Sequence, residues 1–154
     1  MFSKEERKKI HEEFWQGLKR RMNKHANANG KRVNWLRYPI RMKEMYVRMT
    51  ADNRSAIFSI EFQSTDNGIL ALLWEQMIEL KMVLELEIGN DGNWMDETYN
   101  LAGQPICAIR WKLENVNIYE TSDAPVIYDF FEAKLLAFDR FYEEYKEVLY
   151  ALMK

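Results

Sequence analysis

Alternation of apolar and polar residues in the middle of the chain predicts a β-hairpin. Residues 44–50 and 55–63 are two runs of β-branched, aromatic and apolar side chains that alternate with polar ones. Asp52 and Asn53 stand between the two runs, and residues of this kind favour the tight turn of a hairpin. The alternation therefore predicts one apolar, buried face and one polar face for the hairpin.

Placing Asp52 and Asn53 at the tip also predicts which side chains lie opposite each other. Val47 would then face Phe58 on the apolar side, and Glu44 would face Glu61 on the polar side. A slip of one residue would turn the apolar set toward water, so the pattern specifies the register well.

Apolar residues three and four positions apart predict a helix at each end of the chain. The first helix begins with the capping box of Ser3 and Glu6 and extends to about residue 25. The last begins near Pro125, extends to the C-terminus, and at about 28 residues would be about 42 Å long. Its apolar seam could line the whole sheet, or its distal half could meet a second copy in a homodimer.

A third helix is predicted from about residue 66 to residue 87. Its main apolar row is widened by four further side chains, which are Leu72, Trp74, Ile78 and Met82. A widened row indicates that neighbours cover the helix on more than one side.

Shorter runs predict the remaining strands. Residues 33–38 form one that Pro39 would stop, and residues 94–101 and 106–113 would form a second hairpin. With its tip at residues 103–104, Glu97 would face Arg110 as a favourable cross-strand pair. Residues 117–119 are a candidate for a brief edge strand.

Together these elements predict a single α+β domain over residues 1–154. Its sheet would have about five strands, mixed or antiparallel, packed by three helices in the order α-β-β-β-α-β-β-α. A chain of 154 residues is long enough for one such core and short for two.

Charge is distributed unevenly along the chain although the net charge is only −2. Residues 1–54 hold 15 Lys and Arg against 6 Asp and Glu, and residues 55–154 hold 7 against 18. The two halves could neutralise each other, or the basic half could present a nucleic-acid-binding surface. The candidate residues for such a surface are Lys19, Arg20, Arg21, Lys24, Lys31, Arg32 and Arg37.

The cysteine content and the lack of long apolar runs indicate the cellular compartment. Cys107 is the single cysteine, so no disulfide can form within the chain. The start of the chain is charged and no run is apolar enough to span a membrane, so we expect a cytoplasmic protein without membrane association.

Most catalytic signatures are missing from the sequence. It has no glycine-rich phosphate loop, no Gly-x-Ser-x-Gly elbow and no Cys-x-x-Cys pair. His11 and His25 are 14 residues apart on the predicted first helix, which is about 21 Å and too far to share a metal ion. The expectation is therefore a non-catalytic protein without a cofactor.

One constellation keeps a catalytic alternative open. Opposed carboxylates at Glu44 and Glu61, with Gln63 one step further on, require a compensating cation, and two such carboxylates can hold Mg²⁺. The simpler alternative is that both are solvated or neutralised by nearby basic residues, namely Arg41, Lys43 and Arg48.

Several segments give the chain a resemblance to a known family. The segments 2–7, 30–35, 46–49 and 56–62, with an aromatic-rich last helix, resemble a bacterial domain-of-unknown-function family numbered four-two-six-eight. The resemblance implies a bacterial protein that occurs alone or beside restriction-type nucleases. It supplies no catalytic residue.

A second resemblance concerns the order of elements. That order is similar to the core of PD-(D/E)xK nucleases, with residues 61–63 in the place of the Glu-x-Lys motif. Gln63 stands where that class has lysine and cannot supply its charge. The leading hypothesis is thus a non-catalytic, DNA-associated binding module, and the alternatives are a degenerate Mg²⁺-dependent nuclease and a structural homodimer.

Overall fold

The computed structural model describes residues 1–153, which form four α-helices and two β-hairpins. The elements are α1 (Lys4–Met22), β1 (Met45–Ala51), β2 (Ser55–Phe62), α2 (Asn67–Glu79), α3 (Lys81–Ile88), β3 (Asn93–Tyr99), β4 (Pro105–Glu114) and α4 (Ala124–Ala151). The fold is α+β as predicted. Its four strands, fewer than the five expected, form an antiparallel sheet in the order β1-β2-β4-β3.

The first and last helices follow the predictions closely. The Ser3 hydroxyl accepts from the Glu6 amide and the Glu6 carboxylate accepts from the Ser3 amide, so the capping box is formed. α4 has 28 residues with proline in its first turn. No helix in the described part of the chain is both long and apolar enough to cross a membrane.

The register of the first hairpin differs from the prediction by two residues. Val47 lies opposite Ile60 instead of Phe58, and Glu61 lies opposite Tyr46. Glu44 therefore does not face Glu61, and the predicted opposition of the two carboxylates is wrong.

Asp52 explains the shift. Its backbone amide donates to the carbonyl of Ser55 at 3.0 Å, so these two residues close the strands and the tip moves one position along the chain. Its carboxylate accepts from the amides of Arg54 and Ser55 at 2.8 and 2.9 Å. These bonds lower the pKa of Asp52, and they let Asp52 serve as the last paired residue instead of the tip.

Residues 33–38 do not form the predicted strand. Trp35–Arg37 is a turn of 3-10 helix, and the Trp35 indole donates to the carbonyl of His25 at 3.2 Å. That bond and the burial of Trp35 hold the segment against the end of α1 instead of at a sheet edge. Residues 117–119 likewise lie outside the sheet, which leaves four strands.

The predicted helix over residues 66–87 is two helices. Leu80 leaves the helical region with φ −90° and ψ 3°, and its amide is shared between the carbonyls of Gln76 and Met77. The tightened turn lets α3 change direction and bury Leu84 and Ile88. The chain therefore has four α-helices instead of three.

The second hairpin also differs from its predicted register. Arg110 lies opposite Asn93, and a bulge between Met95 and Thr98 takes Glu97 out of the ladder, so the predicted pairing of Glu97 with Arg110 is wrong. The loop turns at Gly103, whose φ of +79° favours glycine. Such a bulge bends the strand and redirects its end.

The helices pack on one face of the sheet. Phe58 contacts Trp111 and Phe138 with ring centroids 6.2 and 6.5 Å apart, and Phe62 contacts Trp74 at 6.1 Å. The buried apolar side chains form a single cluster on this side. The other face, called the open face below, keeps a cluster of polar side chains centred on Glu61.

Candidate binding surfaces

Glu61 lies at the centre of the open face and is bound by two arginines. Its carboxylate accepts from Arg48 Nε at 3.1 Å, from Arg110 Nη2 at 3.4 Å and from the Ser59 hydroxyl at 2.9 Å. Its side chain is 5% exposed, so the carboxylate is buried among these donors. Arg48, one of the basic residues expected to neutralise it, therefore does so, while Arg110 comes from a strand that the sequence pattern did not pair with β2.

Glu44 and Gln63 interact through the backbone and line one cavity of about 420 Å³ at the end of the hairpin, away from the Glu61 cluster. The Gln63 amide donates to the Glu44 carbonyl at 2.8 Å. The Gln63 side chain accepts from the Tyr46 hydroxyl and donates to Gln104 at 2.7 Å. In residues 1–153 no group of three His, Cys, Asp or Glu is arranged to hold a metal ion.

The loop between β3 and β4 folds over part of the open face. Asn100 donates to Gln63 and Gln104, and Arg110 Nη2 donates to the Tyr99 carbonyl at 3.1 Å. A cavity of about 140 Å³ remains between this loop and the arginines. A volume of that size holds only a few water molecules.

Six of the seven predicted basic residues are exposed around the C-terminal end of α1. We call them the basic end, and they are Lys19, Arg20, Lys24, Lys31, Arg32 and Arg37. Arg32 Nη1 donates to the Asn23 carbonyl at 2.8 Å, which places it on the end of the helix. Arg20 lies in the last turn of α1, and Lys24 follows the helix, whose C-cap is Asn23. Within the described residues none of the six forms an ion pair with an acidic side chain.

Arg21, the seventh predicted residue, has a different environment. Its guanidinium binds Asp129 and, at 3.0 Å, Glu132 of α4, and its side chain is 27% exposed. His25 lies 2.9 Å from the same Glu132. Burial favours a higher pKa for Glu132, but the hydrogen bonds from His25 and Arg21 outweigh it, so the pKa of Glu132 is lowered. Arg21 therefore holds α1 to α4 and is not part of the basic end.

A buried aspartate fixes the loop that carries Lys31 and Arg32. Asp139 of α4 is 3% exposed and accepts from the Ala28 amide at 2.7 Å and from the Tyr38 hydroxyl at 2.5 Å. Burial raises the pKa of Asp139 even though both hydrogen bonds lower it. The sequence pattern gave no signal for this contact, because Asp139 lies on the buried side of an otherwise apolar seam.

Both histidines have side-chain partners. His11 Nε2 lies 3.0 Å from the Tyr119 hydroxyl, while His25 belongs to the Glu132 cluster. The aromatic side chains nearest the basic end are core residues, since Trp35 is 2% and Tyr38 is 9% exposed. Neither ring is accessible for stacking on a base.

Comparison with known proteins gives one match. A family model described as Domain of unknown function (DUF4268) matches residues 10–146. No curated protein and no solved structure matches the chain.

Proposed function

The chain belongs to the DUF4268 family, and from that starting point we propose that it is a non-catalytic module that binds the phosphate backbone of nucleic acid through the basic end. The carrying observation is that six exposed cationic side chains surround one helix terminus without an acidic partner among the described residues. Phosphate contacts of this kind dominate nucleic-acid affinity.

The helix dipole alone does not account for the basic end. Cations at a helix C-terminus oppose the dipole, and the guanidinium of Arg32 already lies on the Asn23 carbonyl there. Lys19 and Arg20 lie in the last turn of α1 and oppose the dipole as well, but Lys24, Lys31 and Arg37 lie beyond the helix and are in excess of that role. Asp129 and Glu132 of α4 are bound by the neighbouring Arg21, and Glu132 also by His25, so these carboxylates are already partnered.

The register and the arginines argue against a nuclease at Glu44 and Glu61. The two glutamates are not opposed, and the Glu61 carboxylate is occupied by Arg48 and Arg110. A metal ion would have to displace two cations from a buried carboxylate. We therefore propose binding without catalysis or cofactor, and without a relationship to the PD-(D/E)xK core.

The apolar seam of α4 argues against a dimer through that helix. Phe131, Leu135, Phe138 and Tyr142 are buried within the chain. Val126 and Val148 are exposed, at 48% and 41%, and they lie near opposite ends of α4. Two separated valines offer little area for a stable interface.

The proposal places the module in a bacterial cytoplasm, in the company of DNA-processing proteins. Its support is the single cysteine and the family resemblance. Cys107 is buried and its thiol donates to the Asp96 carbonyl at 3.2 Å. Burial raises the pKa of Cys107, so it is a poor nucleophile and a structural residue.

Fluorescence anisotropy with a labelled DNA duplex tests the proposal. Binding should weaken steeply between about 50 and 200 mM salt, and the double reversal Lys24→Glu/Arg32→Glu should weaken it at least tenfold at the lower salt. Losing two phosphate contacts should also reduce the slope of log K against log salt by about 2.

A matched control is available at the other end of α1. Lys4→Glu/Lys8→Glu changes the net charge equally at exposed positions near the start of α1. Along the helix Lys8 is about 16 Å from Lys19, the first residue of the basic end, which is beyond the screening length. Binding by this control should stay within about twofold of the unmodified protein. Absence of binding at low salt, or equal loss in both variants, would refute the proposal.

A further inference from the structure

Four large apolar side chains are exposed together on α2 and α3. Leu72 and Ile78 are 49% and 46% exposed, and Met82 and Leu86 are 76% and 82% exposed. The sequence predicted that neighbours cover the row of Leu72, Trp74, Ile78 and Met82. Trp74 packs against Phe62 and Trp94, but the prediction is wrong for the other three, which are exposed. Soluble proteins seldom leave contiguous apolar patches open unless they bind something.

The break at Leu80 gives α3 two apolar sides. Leu84 and Ile88 are buried, and α3 packs against α4. Met82 and Leu86 are exposed on the other side, and Ile78 of α2, four positions before Met82, lines the same groove. This spacing matches the row that a helical partner would need for side-by-side packing.

Two grooves lie on either side of Leu86. One has a volume of about 690 Å³ and includes Ile78 and Met82 in its lining. The other, of about 550 Å³, is lined in part by Phe141 and Tyr145 of α4. Leu86 borders both, so the two grooves form one surface that we call the α2–α3 groove.

The rim of the α2–α3 groove is acidic. Its carboxylates are Glu79, Glu85, Glu87, Glu143 and Glu144. Two cations also line it, but Arg140 is bound to Glu87 at 2.8 Å and Lys81 lies 5.1 Å from the centre of the Trp94 ring. Glu143 is likewise paired with Lys146 at 2.9 Å. Glu79, Glu85 and Glu144 form no ion pair among the described residues and outnumber Lys81, so the rim carries an excess of negative charge around an apolar floor.

Charge argues against a second copy as the occupant. A two-fold interface places the same patch on both sides, so the acidic rims would face each other and repel. The basic helix of this chain, α1, cannot serve instead, because its apolar row of Phe14, Leu18 and Met22 is buried. An anionic membrane surface would be repelled in the same way.

We propose that the α2–α3 groove binds a basic amphipathic helix of another protein. Apolar side chains of that helix would pack against Ile78, Met82 and Leu86, and its Lys and Arg would meet the acidic rim. Exposed methionine suits such a contact because its flexible thioether adapts to different partners. The groove is lined mainly by α2, α3 and α4, with Ala28 and Asn29 of the loop before Lys31 at its border. None of the six cations of the basic end lines it, so the two sites can be tested separately.

The test uses a labelled synthetic helix of about 18 residues with leucine on one face and lysine on the other, a length long enough to be helical. A scrambled peptide of the same composition and a leucine–glutamate helix are the comparisons. The lysine helix should bind at least tenfold more tightly than either one. Equal binding of all three peptides would overturn the proposal.

Two variants locate the contact. Met82→Ser/Leu86→Ser removes the apolar floor, and Glu79→Lys/Glu144→Lys reverses two exposed rim charges. Each should weaken binding of the lysine helix at least tenfold, with an unchanged melting temperature. Leu101→Ser, at an 83% exposed position on the β3–β4 loop, should leave binding within twofold.

Two further outcomes would count against the proposal. Binding that survives both variants would show that the peptide contacts another surface. A concentration-dependent dimer in sedimentation that Met82→Ser/Leu86→Ser abolishes would show that a second copy is the occupant.

Discussion

The Tyr38 hydroxyl donates to the Asp139 carboxylate at 2.5 Å and joins the segment after α1 to the middle of α4, across 101 positions of sequence. The same carboxylate accepts from the Ala28 amide. One buried group thus positions both ends of the segment that carries Lys31 and Arg32. The positions of Lys31 and Arg32 in the basic end therefore depend on the Asp139 carboxylate.

Removing the hydroxyl should destabilise the protein. Tyr38→Phe leaves the buried carboxylate of Asp139 with fewer donors, and we expect a loss of about 1–3 kcal/mol in the free energy of unfolding. Urea unfolding near neutral pH measures it. Tyr99→Phe, at a 60% exposed ring, is the control and should change the value little. Equal effects of the two substitutions would contradict this account.

The pH dependence of stability follows from the raised pKa of Asp139. A carboxyl whose pKa is raised by folding binds more protons in the folded state, so its contribution to stability falls as pH rises above the ordinary value of 3.8. Asp139→Asn should remove this contribution. The unfolding free energy of the natural chain minus that of the variant should therefore decrease with rising pH, and a flat difference curve would refute the assignment.

Gly17 allows α1 to lie close to α4. A Cβ at this position would be 2.2 Å from the Tyr128 hydroxyl oxygen, which donates to the Phe14 carbonyl at 2.8 Å. Gly17→Ala should therefore lower the free energy of unfolding by about 1–3 kcal/mol through overpacking, although alanine favours a helix by about 1 kcal/mol. Thermal or urea unfolding measures the change.

The effect of Gly17→Ala on stability should depend on the residue at position 128. Tyr128→Leu removes the hydroxyl and the end of the ring, and Gly17→Ala made in that variant should be neutral or stabilising by up to about 1 kcal/mol. A loss of stability that is equal in both backgrounds would show that Tyr128 is not the obstacle.

The two arginines on Glu61 should differ in their importance. Arg110 binds Ser59, Glu61 and the Tyr99 carbonyl and is 26% exposed, whereas Arg48 makes one bond to Glu61 and is 46% exposed. We expect Arg110→Met to cost about 2–3 kcal/mol and Arg48→Met about 1 kcal/mol or less. Urea unfolding gives both values.

A double-mutant cycle checks whether the contact with Glu61 is the reason for the cost of Arg110→Met. In a Glu61→Gln background the carboxylate is absent, so the cost of Arg110→Met should shrink. Arg54→Met at the exposed hairpin tip serves as the matched control and should be close to neutral. A larger cost for Arg48→Met than for Arg110→Met would contradict the assignment.

Local signals in the sequence were sufficient for the terminal helices. Ser3 and Glu6 cap each other within four residues, and the seam of α4 repeats over its whole length, so neither depends on distant partners. The faces of the first hairpin followed from alternation for the same reason.

Features fixed by distant contacts could not be predicted from those signals. The Trp35 indole donates to the His25 carbonyl just after α1, and residues 33–38, which have the pattern of a strand, therefore contain a 3-10 turn. The pairing of β2 with β4 that brings Arg110 to Glu61 spans 49 positions.

The same division applies to the basic residues. The exposure of the basic end follows from its polarity. Arg21 is not part of it because its guanidinium binds Asp129 and Glu132, which are more than 100 positions away in the sequence. Helical spacing puts Arg21 beside the apolar stripe of Leu18 and Met22 and Arg20 on the opposite side, but nothing in the first half of the chain identifies the acidic partners of Arg21.

The hairpin register differed from expectation by an even number of residues, and this has a practical consequence for engineering. Because Asp52 and Ser55 close the ladder themselves, the two residues between them, Asn53 and Arg54, bear none of the strand pairing. A reporter peptide or fluorescent label could be grafted at that tip without inverting either strand. The tip is therefore a suitable place to attach a probe while both binding surfaces are assayed.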